Sequence, residues 1–273
     1  MEIAGHYEAH LDSHKIITAL QKAYPNGADK YQLAPIDQLH IGGIKASEKL
    51  LMNLNSSDKV LEIGSGCGGL MRLMQGQGID VTGLDISHGL NSLNSQLTSL
   101  SKSFKNSGKP NIITGDAHSL PFPDRCFNVV VMQHSLLNMP DRLKVLSECE
   151  RVLKPSGLVV LHEVFQGTKE IPMLFPVPWA SGPEGSSLVT EHVFKKSLNE
   201  SGFKTDRIED WTTEALNWRK KQQLKEKAED VAAAPVSPAM IFGASFEIMA
   251  SNLVKNLSSG AIRVMEIVLG KLK

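Results

Sequence analysis

Apolar runs that end in a polar residue set the rhythm of the first 164 positions. Val60–Ile63, Val81–Asp85, Asn111–Asp116, Phe127–His134 and Leu158–Val164 each fit a short buried strand. They lack clean alternation, as expected of strands covered on both faces of a parallel sheet. The segments between them have helical spacing: Gly69–Gln75, about Ser87–Ser103, and from Pro140 to Leu153. Pro140 suits a first helical position, where no backbone donor is needed. Upstream, Ser13 is the expected cap of a helix ending near Tyr24-Pro25, and a second helix spans roughly Ile44–Leu54. Downstream, residues 165–190 are rich in Gly, Pro and Ser, without periodicity, and fit a binding loop. Thr190 then caps a helix stopped by Gly202, and Phe203–Asp210 is a sixth strand. Residues 211–234 are expected to be mostly helical until the Ala/Pro stretch 232–238. A helix over Phe246–Leu257 and a final strand over Ile262–Leu269, paired with the sixth, complete the pattern. Alternating strands and helices predict an α/β fold: a Rossmann-like, seven-stranded, mostly parallel sheet with helices on both faces and lid insertions.

The first strand leads into Gly64-Ser-Gly-Cys-Gly-Gly69, where Gly64, Gly66 and Gly68 permit a sharp turn and close approach of a ligand. Gly64, Gly66 and Gly69 also satisfy the dinucleotide spacing, a weak signal alone. Glu62 changes the picture. A pyrophosphate held at the following helix N-terminus would be repelled by an acid so near, whereas a cationic ligand is favoured. S-adenosylmethionine (SAM), with an ammonium and a sulfonium, meets that requirement. Asp85 ends the second strand at about the interval of a ribose-binding acid, and Asp116 ends the third. Glu62, Asp85, Asp116 and Gln133 are thus expected to line one crevice at the carboxyl ends of the strands.

These motifs, in this order, resemble those of class I SAM-dependent methyltransferases over roughly residues 36–210. A small-molecule branch similar to sarcosine and dimethylglycine N-methyltransferases is suggested by Pro35-Ile-Asp-Gln-Leu-His-Ile-Gly-Gly43, Leu120-Pro-Phe-Pro-Asp124, Gln133-His134 and Phe175-Pro-Val-Pro-Trp179. The resemblance implies one methyltransferase domain over 1–273. It has an N-terminal helical cap (1–56), a SAM-binding core (57–164), lids at 165–190 and 211–259, and the final strand at 262–270. It also implies roles: backbone contacts to the methionine portion from Gly64, Ser65, Gly66 and Gly68, and Glu62 near the ammonium. Asp85 is expected on the ribose, Ile86 beside the adenine, Asp116 and Ala117 at its edge, and Gln133 near the donor methyl. The segment containing His40 is expected to fold over the cofactor.

His134 and Glu163 are the candidate catalytic bases, with Glu163 facing the crevice if His162 faces away; either could instead bind acceptor or lid. His40 and Trp179 are candidate substrate contacts, and Trp211 and Trp218 could also wall the acceptor pocket, as aromatic surfaces suit an amine. The expected activity is methyl transfer to a small-molecule acceptor, an amine on this reading. O-methylation with His134 or Glu163 as base is the alternative. An NAD-dependent dehydrogenase and a non-catalytic SAM-binding module are the rival classes.

Composition narrows the field further. Lys+Arg and Asp+Glu are both 29, so no nucleic-acid footprint is present. No apolar run reaches membrane-spanning length and no secretory signal is visible, so a cytoplasmic protein is expected, with oligomeric state open. Cys67, Cys126 and Cys149 are too scattered for a disulfide framework or a zinc motif. His6, His10 and His14 could share one helix face, but a terminal polar face fits them better than a metal site, and no metal is expected.

Overall fold

The computed structural model describes residues 2–102, 110–226 and 234–272. Its centre is a seven-stranded sheet built from β1 (Lys59–Ile63), β2 (Asp80–Asp85), β3 (Asn111–Thr114), β4 (Phe127–Gln133), β5 (Leu153–Gln166), β6 (Phe203–Asp210) and β7 (Ile262–Lys271). The spatial order is β3-β2-β1-β4-β5-β7-β6. β1 to β5 run parallel, and β7 pairs antiparallel with both β5 and β6. The final strand therefore pairs with the sixth, as its apolar pattern predicts, and separates it from the parallel core. The strand order reverses at β1, beside β4, which opens a crevice at their carboxyl ends.

Side-chain alternation divides the core into two layers. Leu61, Ile63, Val130, Met132, Val159 and Leu161 pack with α7 (Arg142–Val152) and α8 (Glu191–Glu200). Val60, Val129, Val131 and Val160 pack on the other face with α4 (Gly43–Leu51) and α5 (Gly69–Gly76). α6 (His88–Leu100) packs with α2 (Ser13–Ala23) and α3 (Lys30–Asp37) in a third apolar cluster. α1 (Glu2–Glu8), α9 (Thr212–Glu226), α10 (Ala239–Phe242) and α11 (Phe246–Ser259) complete the chain.

Several boundaries differ from the sequence expectation. Asp12, not Ser13, caps α2 by accepting from Lys15 N at 2.9 Å. Asp141 caps α7 from Lys144 N at 3.0 Å, so Pro140 precedes the cap. Thr190 caps α8 as expected. The helix expected over 44–54 is Gly43–Leu51, and β5 extends the expected strand at both ends. α6 ends at Leu100, capped by Ser101, short of the expected Ser103, and residues 227–233 of the second insertion lie outside the described residues. His6 and His14 do not share a face, because α1 ends at Glu8 and α2 begins at Ser13. His6 Nε2 instead lies 3.0 Å from the Pro178 carbonyl oxygen.

α3 was not expected, since Pro35 lies inside it. It is held by a capping box in which Asp29 accepts from the Tyr31 and Gln32 amides and Asp29 N donates to the Gln32 side chain. This helix sets Asp37 beside α5.

Candidate functional site

A cavity of about 1290 Å³, open mouth included, occupies the crevice at the carboxyl ends of β1, β2 and β4. The glycine turn forms its floor. Gly64 has φ +77°, and a Cβ there would lie 2.3 Å from that of Ser135, so only glycine fits. A Cβ on Gly66 would meet nothing within 4 Å, because its backbone opens onto free space. Gly64, Ser65 and Gly66 line the cavity. Gly68 does not; its φ of +78° and the close approach of Asn94 make it a packing and turn residue, correcting its expected ligand contact.

The acids are arranged as follows. Glu62 is 4% exposed, burial raises its pKa to about 8, and Oε2 has no hydrogen-bond partner among the described residues. Asp85 accepts from Ser87 N on Oδ1 and Gly66 N on Oδ2, each at 2.9 Å. Burial raises its pKa despite these bonds. Asp116 lies at the outer rim, is half-exposed, and pairs with His118 at 2.6 Å. Ile86 and Ala117 also line the cavity.

Asp37 is a site residue that sequence reasoning missed. It is buried against Arg72, with Oδ2 at 2.8 Å from a guanidinium nitrogen, while Oδ1 is unpartnered among the described residues. Its partner lies 35 residues away, so only the fold brings them together. A Cβ on Gly69 would lie 2.2 Å from the Asp37 carbonyl oxygen and 2.5 Å from Gln38 Nε2. The N-terminus of α5, where a dinucleotide would place its pyrophosphate, is therefore covered by α3's trailing chain.

Histidines form the inner wall. His40 and His134 line the cavity, and His162 lies behind them, fully buried. The His134 and His162 rings stack at 5.1 Å, with His40 5.8 Å from His134 and 6.5 Å from His162. Burial lowers all three pKa values: to about 4 for His40, about 3 for His162 and well below the ordinary value for His134. All three are thus neutral at pH 7, and His134 Nε2 has no partner among the described residues. Ser47 Oγ joins the wall to the sheet by donating to Gln38 Oε1 or Gln133 Oε1, at 2.8 and 3.1 Å. Gln133 lines the cavity and its Nε2 is unpartnered among the described residues.

His134 has φ +53°, a sparsely populated conformation for a residue with a Cβ. Glu163 supports that turn. Its Oε1 accepts from the Ser135 and Leu136 amides, both at 2.8 Å. The expectation that Glu163 faces the crevice is corrected by the register. Gln133 pairs with His162 across β4 and β5, so those two share the α4 face and Glu163 lies on the α7 face. Glu163 does not line the large cavity, and burial raises its pKa to about 7.

Of the three tryptophans, Trp179 lines the cavity. Trp211 and Trp218 instead pack over Gly42 and Gly43, where added Cβ atoms would meet the rings at 2.5 and 3.2 Å. They anchor the His40 segment instead of walling an acceptor. Tyr7 and Phe242 join Trp179 around the outer cavity; neither was expected from sequence. Among the described residues no His/Cys/Asp/Glu group is suited to a metal, and no helix is long and apolar enough to cross a membrane.

Asp37, Glu62 and Ser65, each with an unpartnered oxygen, and Gln133, with an unpartnered Nε2, line one cavity, so its ligand must donate hydrogen bonds to the first three and can accept one from the last. That donor demand fits the ammonium and hydroxyls of SAM. Comparison with known proteins agrees. Residues 61–161 match the methyltransferase domain family. Demethylmenaquinone methyltransferase of Thermotoga maritima is 35% identical over 118 residues, 42% of this chain and 47% of that protein. The chain thus spans about half the length of the curated relatives it matches. A candidate sarcosine dimethylglycine methyltransferase from Galdieria sulphuraria has a similar fold: TM-score 0.65 at 19% identity, covering 84% of this chain and 86% of that one. So does phosphoethanolamine N-methyltransferase 2 of Haemonchus contortus: TM-score 0.71 at 16% identity, covering 94% of this chain and 57% of that one. The matched residues 61–161 run from β1 into β5, the part of the Rossmann-like sheet whose carboxyl ends carry the cavity.

Proposed function

We propose that this protein transfers a methyl group from SAM to a small-molecule acceptor. The observation that carries the reading is the acid-flanked turn: Glu62 and Asp37 line the cavity beside the glycines, and α3's trailing chain covers the α5 N-terminus, where a pyrophosphate would need free amides. When bound, SAM supplies an activated methyl group. Glu62 and Asp37 would hold the ammonium, and Asp85 the ribose hydroxyls through lone pairs its two amide bonds leave free. Ile86, Asp116 and Ala117 would receive the adenine. The protein's contribution is alignment and exclusion of water, and the depth of the crevice serves both.

For the acceptor, the aromatic groups of Tyr7, Trp179 and Phe242 support an amine, which must be neutral when it attacks. His134, neutral and with Nε2 unpartnered among the described residues, can accept a hydrogen bond from the amine and orient it. A second reading, methylation of a hydroxyl, is favoured by the same unpartnered Nε2 of His134, which would then have to remove the proton before or during transfer. Thermal melts with SAM and NAD, followed by incubation with methyl-labelled SAM and candidate acceptors, test the assignment. SAM should raise the midpoint and NAD should not; at about 100 times its dissociation constant a ligand adds roughly 2.7 kcal/mol. Equal stabilisation by NAD would exclude the proposal.

A further inference from the structure

We propose that Glu8 is a positioning residue for the cofactor, and that through it α1 docks over the acceptor half of the cavity once SAM is bound. This rests on the methyltransferase reading above, in which Asp85 holds the ribose. α1 reaches both halves of the cavity, and its Ala4 and Tyr7 line it. At the cofactor half, Glu8 Oε1 accepts from Ser87 Oγ at 2.5 Å and from Gly89 N at 2.9 Å. At the acceptor half, the Tyr7 hydroxyl accepts from Asn138 Nδ2 at 3.2 Å, and His6 Nε2 lies 3.0 Å from the Pro178 carbonyl oxygen.

Ser87 joins Glu8 to the ribose acid. Its amide donates to Asp85 Oδ1 at 2.9 Å, and its hydroxyl donates to Glu8 while accepting from Leu90 N at 3.0 Å. Asp85, Ser87 and Glu8 thus form one continuous chain of hydrogen bonds from the cavity to α1. A Cβ on Gly89 would lie 3.0 Å from Glu8 Oε1, so the carboxylate sits directly on the α6 N-terminus, where negative charge is favoured. Its bonds to Ser87 and Gly89 hold the Glu8 pKa below the ordinary value. The opposing effect is repulsion: burial raises the Asp85 pKa, and the charge of Glu8 adds to the rise. SAM tips this balance toward docking. Its ribose hydroxyls would fix Asp85 and the turn behind it, and its net positive charge favours having both carboxylates near. A ligand shifts a conformational equilibrium only through such a difference between the two states.

The opposite wall is tied down independently of the cofactor. Asn256 donates to the Leu174 carbonyl oxygen at 2.9 Å and accepts from Leu174 N at 2.8 Å, and Asn252 donates to the Pro176 carbonyl oxygen at 3.1 Å. Both are buried on α11, one turn apart, and they hold the chain that leads to Trp179. α1 is held more lightly, since none of its side chains from Ala4 to Glu8 is fully buried. It is therefore the wall whose docking follows the cofactor. Docked, it sets Tyr7 beside Asn138 and 6.5 Å from the Phe242 ring, which completes the acceptor half after SAM has entered.

Deuterium uptake over residues 2–12 of the full-length protein, with and without saturating SAM, reads the docking. Calorimetry with SAM on wild type, Glu8→Ala, Glu8→Gln and His6→Ala reads its coupling to the cofactor. SAM should slow exchange in α1 of the wild type. Glu8→Ala should weaken SAM by about tenfold and lose that slowing even at saturation. Glu8→Gln, which keeps an oxygen for the Ser87 and Gly89 donors, should recover part of both. The His6 side chain does not line the cavity, yet His6→Ala should weaken SAM by about threefold because it loosens the far end of the docked helix. A mere cap on α6 would lower the melting temperature of Glu8→Ala and leave SAM affinity alone. Unchanged SAM affinity in either alanine variant, or exchange in wild-type α1 indifferent to SAM, would overturn the proposal while leaving methyl transfer intact. A wild type that binds no SAM would overturn both.

Discussion

Binding of SAM should release a proton, and Glu62 should be its source. Burial beneath the glycine turn raises this carboxyl's pKa to about 8, with Asp85 adding to the rise and Arg72 opposing it. At pH 6.5 the free protein therefore holds Glu62 protonated. A bound ammonium favours the carboxylate, so the proton must leave. If binding draws the pKa well below 6, roughly one proton is released per ligand at pH 6.5, and affinity climbs as pH rises to 8. With the free pKa at 8 the ionised fraction grows about fiftyfold between pH 6 and 8, roughly 2.3 kcal/mol of apparent binding energy.

Calorimetry at pH 6.5 in two buffers of different ionisation enthalpy measures the proton count directly. Glu62→Gln should abolish most of it, flatten the affinity–pH curve and weaken binding by roughly tenfold to a hundredfold at pH 8, as expected for a lost charge-assisted bond. The free protein carries the opposite sign. A carboxyl whose folded pKa is raised contributes stability that is fully present below its ordinary value near 4.5 and is lost as pH rises through about 8. The ligand-free melting temperature should thus fall over that window and the SAM-induced shift should grow. A binding enthalpy independent of buffer, or unchanged proton release in Glu62→Gln, refutes the placement of the ammonium at this acid.

Other perturbations probe the frame around that acid. Gly64→Ala forces a Cβ to 2.3 Å from that of Ser135 at φ +77° and should cost about 3 kcal/mol in denaturant unfolding, with loss of SAM binding; a stable variant with normal affinity would contradict the geometry. His162→Phe should flatten the acid limb of stability. His162 and His40, lowered to about 3 and 4, contribute stability present above about pH 6.5 and lost as pH falls through those values, so wild type should lose more than the variant between pH 7 and 4 in thermal melts. His134→Gln and Glu163→Gln should separate catalysis from support. The first should slow turnover with SAM affinity intact, by less than about a hundredfold for an amine and by up to about 10⁴-fold for a hydroxyl. The second should lower the melting temperature, because its carboxylate holds the Ser135 and Leu136 amides. A catalytic loss from Glu163→Gln without any stability loss would reverse these assignments.

The strands along the chain and the glycine turn were legible because local chemistry dictates them. Buried parallel strands must be apolar throughout, and a tight strand-to-helix turn must use glycine where φ is positive, as at Gly64 and Gly66. Asp85 was legible for the same reason, as an acid closing β2 beside that turn. What escaped depends on distant partners. Asp37 gains meaning from Arg72, which the fold, not the sequence, sets beside it. α3 was hidden by Pro35, although the Asp29…Gln32 capping box that starts it was there to read.

Glu163 shows where a period-two argument stops. In a strand buried on both faces, polarity does not say which side a residue takes, and His162 and Glu163 are both polar and both buried. Pairing decides. β5 sets His162 between Gln133 on one side and Glu266 on the other, all three on the α4 face, which gives that face a polar row reaching the cavity. Glu163 falls on the opposite face, where its one strong role is to bind the amides that follow His134. The base candidate in the cavity and the acid that braces its backbone are thus separated by the sheet plane. A proton moved at His134 therefore has no route to Glu163 through the cavity itself. Any proton linkage between the two must pass through the Ser135 turn, and so must appear as a change in stability as well as in rate.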